Sequence, residues 1–295
     1  MKTIFLTGSS GFVGTQLQRY LNGSYSFTHF KRNELPVIQA DIVVHLAGKA
    51  HDTNNVSQPE EYYSINTALT KEIFDAFLIS PATVFIWLSS VKAVADTVPE
   101  LLTEETTPAP ATHYGKSKLL AEEYIISHSI PPGKRIYTLR PCMIHGPGNK
   151  GNLNLLFQLV SKGIPWPLAA FENQRSFCSI DNLCFVIKQL IERSDIPSGI
   201  YHVADSETIS TNELIELIAA SRKKHPRFLA APASLVRAIA RLGDIIRLPL
   251  NSERLQKLTE SYVVSNHKLL TVLGNPLPVK SRDGLRKTLN SFIKK

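Results

Sequence analysis

Apolar positions along this chain switch between a period near two and a period near 3.6, and the switching predicts an α/β fold. Ile4-Phe5-Leu6 is an apolar run of strand length. Val13, Leu17, Tyr20 and Leu21 then recur at helical spacing, and Asn22-Gly23 stops that helix. Residues 25–30 alternate and read as a second strand, residues 41–46 as a third, 84–88 as a fourth, and 136–140 as a fifth that ends at Pro141. Between the third and fourth, Tyr63, Ile65, Leu69, Ile73 and Phe77 have the spacing of one helix over residues 60–77. A further helix is expected to carry His113 through Lys118. Buried apolar strands alternating with helices are the pattern of a doubly wound parallel sheet.

The second half is less regular. A Gly- and Asn-rich loop at 145–152 precedes a helix through Leu153, Leu156 and Val160, and Asp181 stands where it can cap the next helix. Residues 199–203 read as a strand, and Ser210 with Glu213 forms a capping-box pattern before another helix. Leu235, Val236, Ile239, Ala240 and Leu242, with Arg237 and Arg241, make an amphipathic basic helix. It reads as a surface helix, with membrane association the alternative.

Composition narrows the classes. At 295 residues and 43% apolar content the chain can bury one large domain or two coupled ones. Cys142, Cys178 and Cys184 are odd in number and lack paired metal spacing, so neither a disulfide framework nor a metal site is expected, and a cytoplasmic location fits. No signal peptide is read ahead of residue 8, and no apolar run reaches the ~18 residues of a membrane span. The formal charge of +8 invites an anionic partner. The dense basic clusters, 222–224 and 294–295, have no interleaved aromatics, so nucleic acid is not expected and a phosphate-rich small substrate fits better.

The first candidate chemistry is the turn Gly8-Ser9-Ser10-Gly11-Phe12-Val13-Gly14, with a strand before it and a helix after. Glycine lets backbone approach phosphate closely, and the free N–H groups of a helix start favour an anion, so this turn is a candidate seat for a dinucleotide pyrophosphate. An ordinary strand-to-helix turn is the alternative. At the end of the second strand an acidic residue would bind an adenosine ribose and repel a 2′-phosphate. Lys31 and Arg32 stand there instead and favour NADP(H), leaving NAD open. About ten residues, interrupted by Pro36, separate Lys31 from the next strand, too few for a crossover unit, so the adenine wall is expected to be short. His45 reads as a core histidine. Tyr114 and Lys118, four apart, share one helix face. An ammonium and an oxidised nicotinamide both favour a phenolate, and Ser90 could donate to the same substrate oxygen.

Together these residues resemble the extended short-chain dehydrogenase/reductases, within the NAD-dependent epimerase/dehydratase family, and in particular bacterial UDP-sugar 4-epimerases and 4-keto reductases of polysaccharide biosynthesis. The resemblance rests on Gly8-x-x-Gly11-x-x-Gly14, the turn 45–51, Ser89-Ser90, Tyr114-x-x-x-Lys118, and Arg140-Pro141 followed by residues 146–152. It implies a Rossmann-type sheet with a smaller α/β substrate-binding domain: residues 1–145, with 176–196 returning, for the dinucleotide, and 146–175 with 197–295 for the nucleotide sugar. By the same resemblance Tyr114 is the acid/base, Ser90 binds the reacting oxygen, and Lys118 also holds the nicotinamide ribose. Gly8, Ser10, Gly11, Phe12, Val13, Gly14, Leu46, Ala47, Gly48 and Pro141 would contact the cofactor, while Lys49, Asn152, Leu153 and Arg175 would contact the UDP-sugar. A homodimer through the Tyr114 helix is compatible with it. The 4,6-dehydratases carry Asp-Glu after the serine, where this chain has Val91 and Lys92, so dehydration is not expected. Reduction at C4 is favoured over 4-epimerisation, and a non-catalytic NADP-sensing regulator is the alternative of another class.

Overall fold

The computed structural model describes residues 1–31, 34–49, 58–98, 100–149, 152–229, 231–246 and 251–293. Among them a six-stranded parallel sheet runs in the order β2-β1-β3-β4-β5-β8. Its strands are β1 (Thr3–Thr7), β2 (Ser26–His29), β3 (Ile42–His45), β4 (Val84–Leu88), β5 (Arg135–Pro141) and β8 (Gly199–Val203). The shorter β6 (Met143–His145) and β7 (Phe177–Ser179) pair with each other.

Side-chain alternation sorts the strands' residues onto two buried faces. Ile4, Leu6, Ile42, Val44, Val84 and Ile86 join Leu17 and Leu21 of α1 (Phe12–Tyr20, with Leu21 its C-cap) and Ile187 and Leu190 of α6 (Ile180–Glu192). Phe5, Val43, Phe85 and Trp87 face the other way, against Ile73, Phe74 and Phe77 of α3 (Leu69–Ile79) and Ala121 and Ile125 of α4 (His113–Ile126). Each buried Val, Leu, Ile or Phe side chain among these contributes roughly 1.5–3 kcal/mol. A second core gathers Leu153 and Phe157 of α5 (Asn152–Ser161), Ile215 and Ile218 of α7 (Thr211–Ser221), Val236 of α8 (Ala233–Ile246), Leu255 of α9 (Ser252–Thr259), and Leu285 and Leu289 of the helix Ser281–Ile293. No helix among the described residues is long and apolar enough to cross a membrane.

Two sequence expectations change. Residues 199–203, placed by the sequence with the sugar-binding portion, pair with β5 as the sixth strand of the main sheet. Helix α6 is capped by Ser179, whose hydroxyl accepts from the Asp181 N–H, so Asp181 lies in the first turn and is not the cap. The helix expected over 60–77 is present without interruption, with α2 (Pro59–Tyr62) passing through a π-helical segment over Tyr63–Ala68 into α3. Strand β2 forms the sheet edge, and the described residues between it and β3 form no strand, as their number requires. The chain leaves β1 to one side for β2 and returns on the other for β3, so the switch point of the sheet lies between β1 and β3.

Candidate active site

The glycine turn follows β1 directly at that switch point. Gly8 has φ +68°, and a Cβ there would stand 2.7 Å from the Ala47 nitrogen and the Leu46 carbonyl carbon. At Gly14 it would stand 2.2 Å from the Gly8 carbonyl oxygen. Both glycines are therefore dictated by backbone lying on backbone. Gly11 is the extended N-cap of α1, and its N–H donates to the Gly8 carbonyl at 3.0 Å. Ser10 is exposed in the turn, and Phe12 and Val13 are half-buried at the helix start. Open first-turn N–H groups beside a backbone no side chain obstructs fit a pyrophosphate.

Below the turn, a hydroxyl–imidazole chain fixes the end of β3. Thr7 Oγ1 accepts the N–H groups of Leu46 at 3.1 Å and Ala47 at 3.0 Å, and it lies 2.6 Å from His45 Nδ1. With its lone pairs engaged, the Thr7 hydroxyl donates to Nδ1, which leaves Nε2 protonated to donate to Thr70 Oγ1 at 2.9 Å. Burial, with the Lys118 charge adding to it, pushes His45 down to about 3, so the imidazole is neutral and structural, in line with the sequence reading.

Lys118 is buried on α4. Its Nζ donates to the Leu88 carbonyl at 2.8 Å and lies 5.0 Å from the Trp87 ring centroid. Burial lowers its pKa to about 8 against an opposing pull from Glu122. A Cβ on Gly48 would come within 3.1 Å of both Lys118 Nζ and Asn66 Oδ1, so the turn after β3 is pressed onto this ammonium. Asn66, absent from the sequence candidates, joins the parts. It accepts the Lys49 N–H at 2.8 Å and donates to the Lys49 carbonyl at 3.1 Å and to Ser117 Oγ at 3.0 Å. The π-helical segment carries it there, and such segments often mark functional positions. Gly48→Ala is expected to leave the fold intact, since the facing atoms are side-chain ends, while weakening binding of a nicotinamide dinucleotide about tenfold, the equivalent of ~1.4 kcal/mol. Fluorescence titration beside a melting curve checks both halves.

Ser90 follows β4, and its side chain hydrogen bonds to the Tyr114 phenol. Burial raises Tyr114 above its usual value, the Ser90 hydrogen bond opposes that rise, and nearby Tyr62 adds to it. The Tyr62 ring meets that of Tyr114 edge-on at 6.2 Å. Ser90 thus favours the phenolate. Gly115 lets α4 approach the strand end, because a Cβ on it would stand 2.4 Å from the Lys92 carbonyl oxygen. Lys92 itself is held over the Tyr262 ring at 4.1 Å and donates to the Asp96 carbonyl at 2.7 Å.

The remaining candidates are dispersed. Pro141 is buried at the end of β5 on the same sheet edge. Lys31 is exposed beyond β2 with Glu34 at 3.6 Å, and Arg32 lies outside the described residues. Lys49 pairs with Glu61 at 2.7 Å. Asn152 opens α5, and its side chain lies outside the described residues. Leu153 points its side chain into the second core, which leaves its backbone as the part that can face a ligand. Arg175 is half-buried, burial lowers its pKa, and its backbone bridges to Ile209 and to Tyr262, the residue under Lys92. Among the described residues no group of three or more His, Cys, Asp or Glu side chains could hold a metal ion.

Comparison with known proteins extends this picture. The sequence model of the NAD dependent epimerase/dehydratase family matches residues 4–204. The chain is 28% identical to a UDP-glucose 4-epimerase of Vibrio cholerae, over 99% of this chain and 96% of that protein. It is 24% identical to a GDP-6-deoxy-D-mannose reductase of Pseudomonas aeruginosa, over 80% of this chain and 85% of the other. The structure of RMD from Pseudomonas aeruginosa complexed with NADPH superimposes with a TM-score of 0.75 at 20% identity, covering 100% of both chains.

Proposed function

This chain belongs to the NAD dependent epimerase/dehydratase family, and within it we propose that it is a nicotinamide-dependent oxidoreductase acting at C4 of a UDP-hexose or UDP-N-acetylhexosamine, as a 4-keto reductase. The observation that carries this reading is the hydrogen bond between Ser90 and Tyr114 on the sheet edge that also holds the Gly8–Gly14 cradle and buried Lys118. When bound, the nicotinamide supplies the hydride. Tyr114 gives its phenolic proton to the C4 oxygen, Ser90 orients that oxygen by a hydrogen bond, and Lys118 holds the ribose hydroxyls beside Gly48. Ser10, Gly11, Phe12 and Val13 seat the pyrophosphate, and Leu46, Ala47 and Pro141 line the nicotinamide side. Lys49, the backbone of Asn152 and Leu153, and Arg175 take the nucleotide sugar, with the second core as the frame of the sugar-binding part.

Burial raises the Tyr114 pKa, so at neutral pH its phenol is protonated, the form that a carbonyl reduction consumes. The short segment after β2 and Lys31 support NADPH, a cofactor to be exchanged after each turnover. A specific observation favours a second reading, 4-epimerisation, since a relative over nearly the whole chain is named UDP-glucose 4-epimerase. The two separate on one measurement. Stoichiometric NADPH oxidation with a 4-keto UDP-sugar is expected, whereas interconversion of C4 epimers without net cofactor consumption overturns the reductase. For the cofactor, Lys31→Asp is expected to weaken NADPH binding about tenfold, on the order of 1.4 kcal/mol, and to leave NADH binding nearly unchanged. Equal losses for both cofactors would remove Lys31 from the 2′-phosphate site.

A further inference from the structure

The candidate site stands on a buried charge cluster that the chemistry above does not use. Glu122 lies on α4 one turn after Lys118 and two turns after Tyr114, and it is 1% exposed. Its carboxylate accepts from Arg140 Nε at 3.0 and 3.1 Å, from the second arm of the same guanidinium, and from the Ser89 hydroxyl. Arg140 is 3% exposed and Ser89 4%. Ser89 immediately precedes Ser90, and Arg140 immediately precedes Pro141. One carboxylate thus ties α4 to the carboxyl ends of β4 and β5 at the points where each delivers a site residue.

A well-packed apolar pair of similar volume is often at least as stable as a buried ion pair, so stability alone is weak grounds for this one. The charges around it suggest its use. Lys118 faces the neutral His45 from β3, Tyr114 and Glu122 from its own helix, and the uncharged Leu88 carbonyl and Trp87 ring from β4. Beyond Glu122 stand Arg140 and, beside it on β8, His202, which burial and Arg140 push down to about 4 and so keep neutral. Of these groups only Glu122 brings a negative charge.

We propose that Glu122 is a positioning residue acting through Lys118 and Ser90: clamped by Arg140 and Ser89, it sets α4 in register against β4 and β5 and supplies the charge that keeps the Lys118 ammonium protonated in the core. The consequence for catalysis rests on the proposed role of Lys118, but the charge effect does not, and it can be read without cofactor or substrate. The chain has two tryptophans, and Trp166→Phe leaves Trp87, which lies against the Lys118 ammonium, as the sole indole reporter. In that background Trp87 emission is expected to titrate with a midpoint of about 8, and Lys118→Met should abolish the step.

Glu122→Gln removes the negative charge, so Lys118 loses its proton at lower pH and the midpoint should fall by about one unit. Glu122→Met with Arg140→Met keeps an apolar pair in the core. It provides a folded comparison if the single variant unfolds, and its midpoint should also lie below that of the parent. A folded variant of either kind that melts lower but keeps the parent midpoint would reduce Glu122 to a structural residue and overturn the proposal. Failure of the UDP-sugar reading would leave the titration untouched.

Discussion

One methyl group at position 14 is expected to disable the dinucleotide site more completely than any change on its surface. In Gly14→Ala the new Cβ meets the Gly8 carbonyl oxygen at 2.2 Å and the Ser9 Cα at 2.9 Å, and both atoms are backbone. A rotamer change cannot relieve such a contact. Gly8 has little room to retreat, because the backbone of Leu46 and Ala47 stands so close that even a Cβ on Gly8 would not fit, and its φ is +68°. The ordinary gain of ~1 kcal/mol from placing Ala for Gly in a helix is set against an overpacking cost of about 1–3 kcal/mol or more, concentrated in the turn that would hold the pyrophosphate. Expected are a melting temperature lower by several degrees and NADPH affinity reduced by two orders of magnitude or more. Gly23→Ala is the control. It sits at φ +79° with nothing within 4 Å of the added carbon, so it should cost about 1 kcal/mol of backbone strain and leave NADPH binding unchanged. Unimpaired NADPH binding by Gly14→Ala would show that the cradle is not where the cofactor rests.

The same contacts explain which parts of the molecule were legible in the sequence. Gly8 and Gly14 were, because a positive φ at Gly8 and the Gly8 carbonyl lying on Gly14 are constraints within one turn, and only glycine satisfies them. The sheet was legible because its strands are buried on both faces and read as apolar runs, and the missing unit between β2 and β3 followed from counting residues. Asn66 was not legible. Its helix shows ordinary apolar spacing, and the π-helical turn appears only once its amide meets the Lys49 backbone and Ser117, which lie 17 and 51 residues away. Glu122 was hidden for a related reason. On α4 it reads as one more polar position, and its partners, Ser89 just past β4 and Arg140 in β5, are separated from it by 33 and 18 residues. Strand β8 was readable as a strand, but each of its residues pairs with one in β5 that lies 62 positions earlier, as Gly199 does with Tyr137, and pairing over that distance carries no sequence signal. Local chemistry could thus be read from residue types, while the supports beneath it depend on contacts made only by the folded chain.

Removal of the phenolic oxygen is expected to have the largest effect on turnover. In Tyr114→Phe no group remains to give the C4 oxygen its proton, and the loss of a positioned acid or base typically costs 10²–10⁴-fold. The ring stays, so its edge-on contact with Tyr62 and the seating of α4 should persist, with NADPH affinity and melting temperature close to those of the parent. Ser90→Ala should cost less, on the order of tenfold, because it removes one hydrogen bond and leaves the acid in place. The pH dependence supplies the sign. Burial raises the Tyr114 pKa, so at neutral pH the phenol is protonated and reduction should run on a plateau that falls only as pH climbs through that raised value. Oxidation needs the phenolate, so its rate should increase with pH over the same interval. Both pH dependences should vanish in Tyr114→Phe. A variant that kept parental turnover and the parental pH profile would show that the proton comes from elsewhere, and the Ser90–Tyr114 pair would then have to be read as part of the packing of α4 against β4.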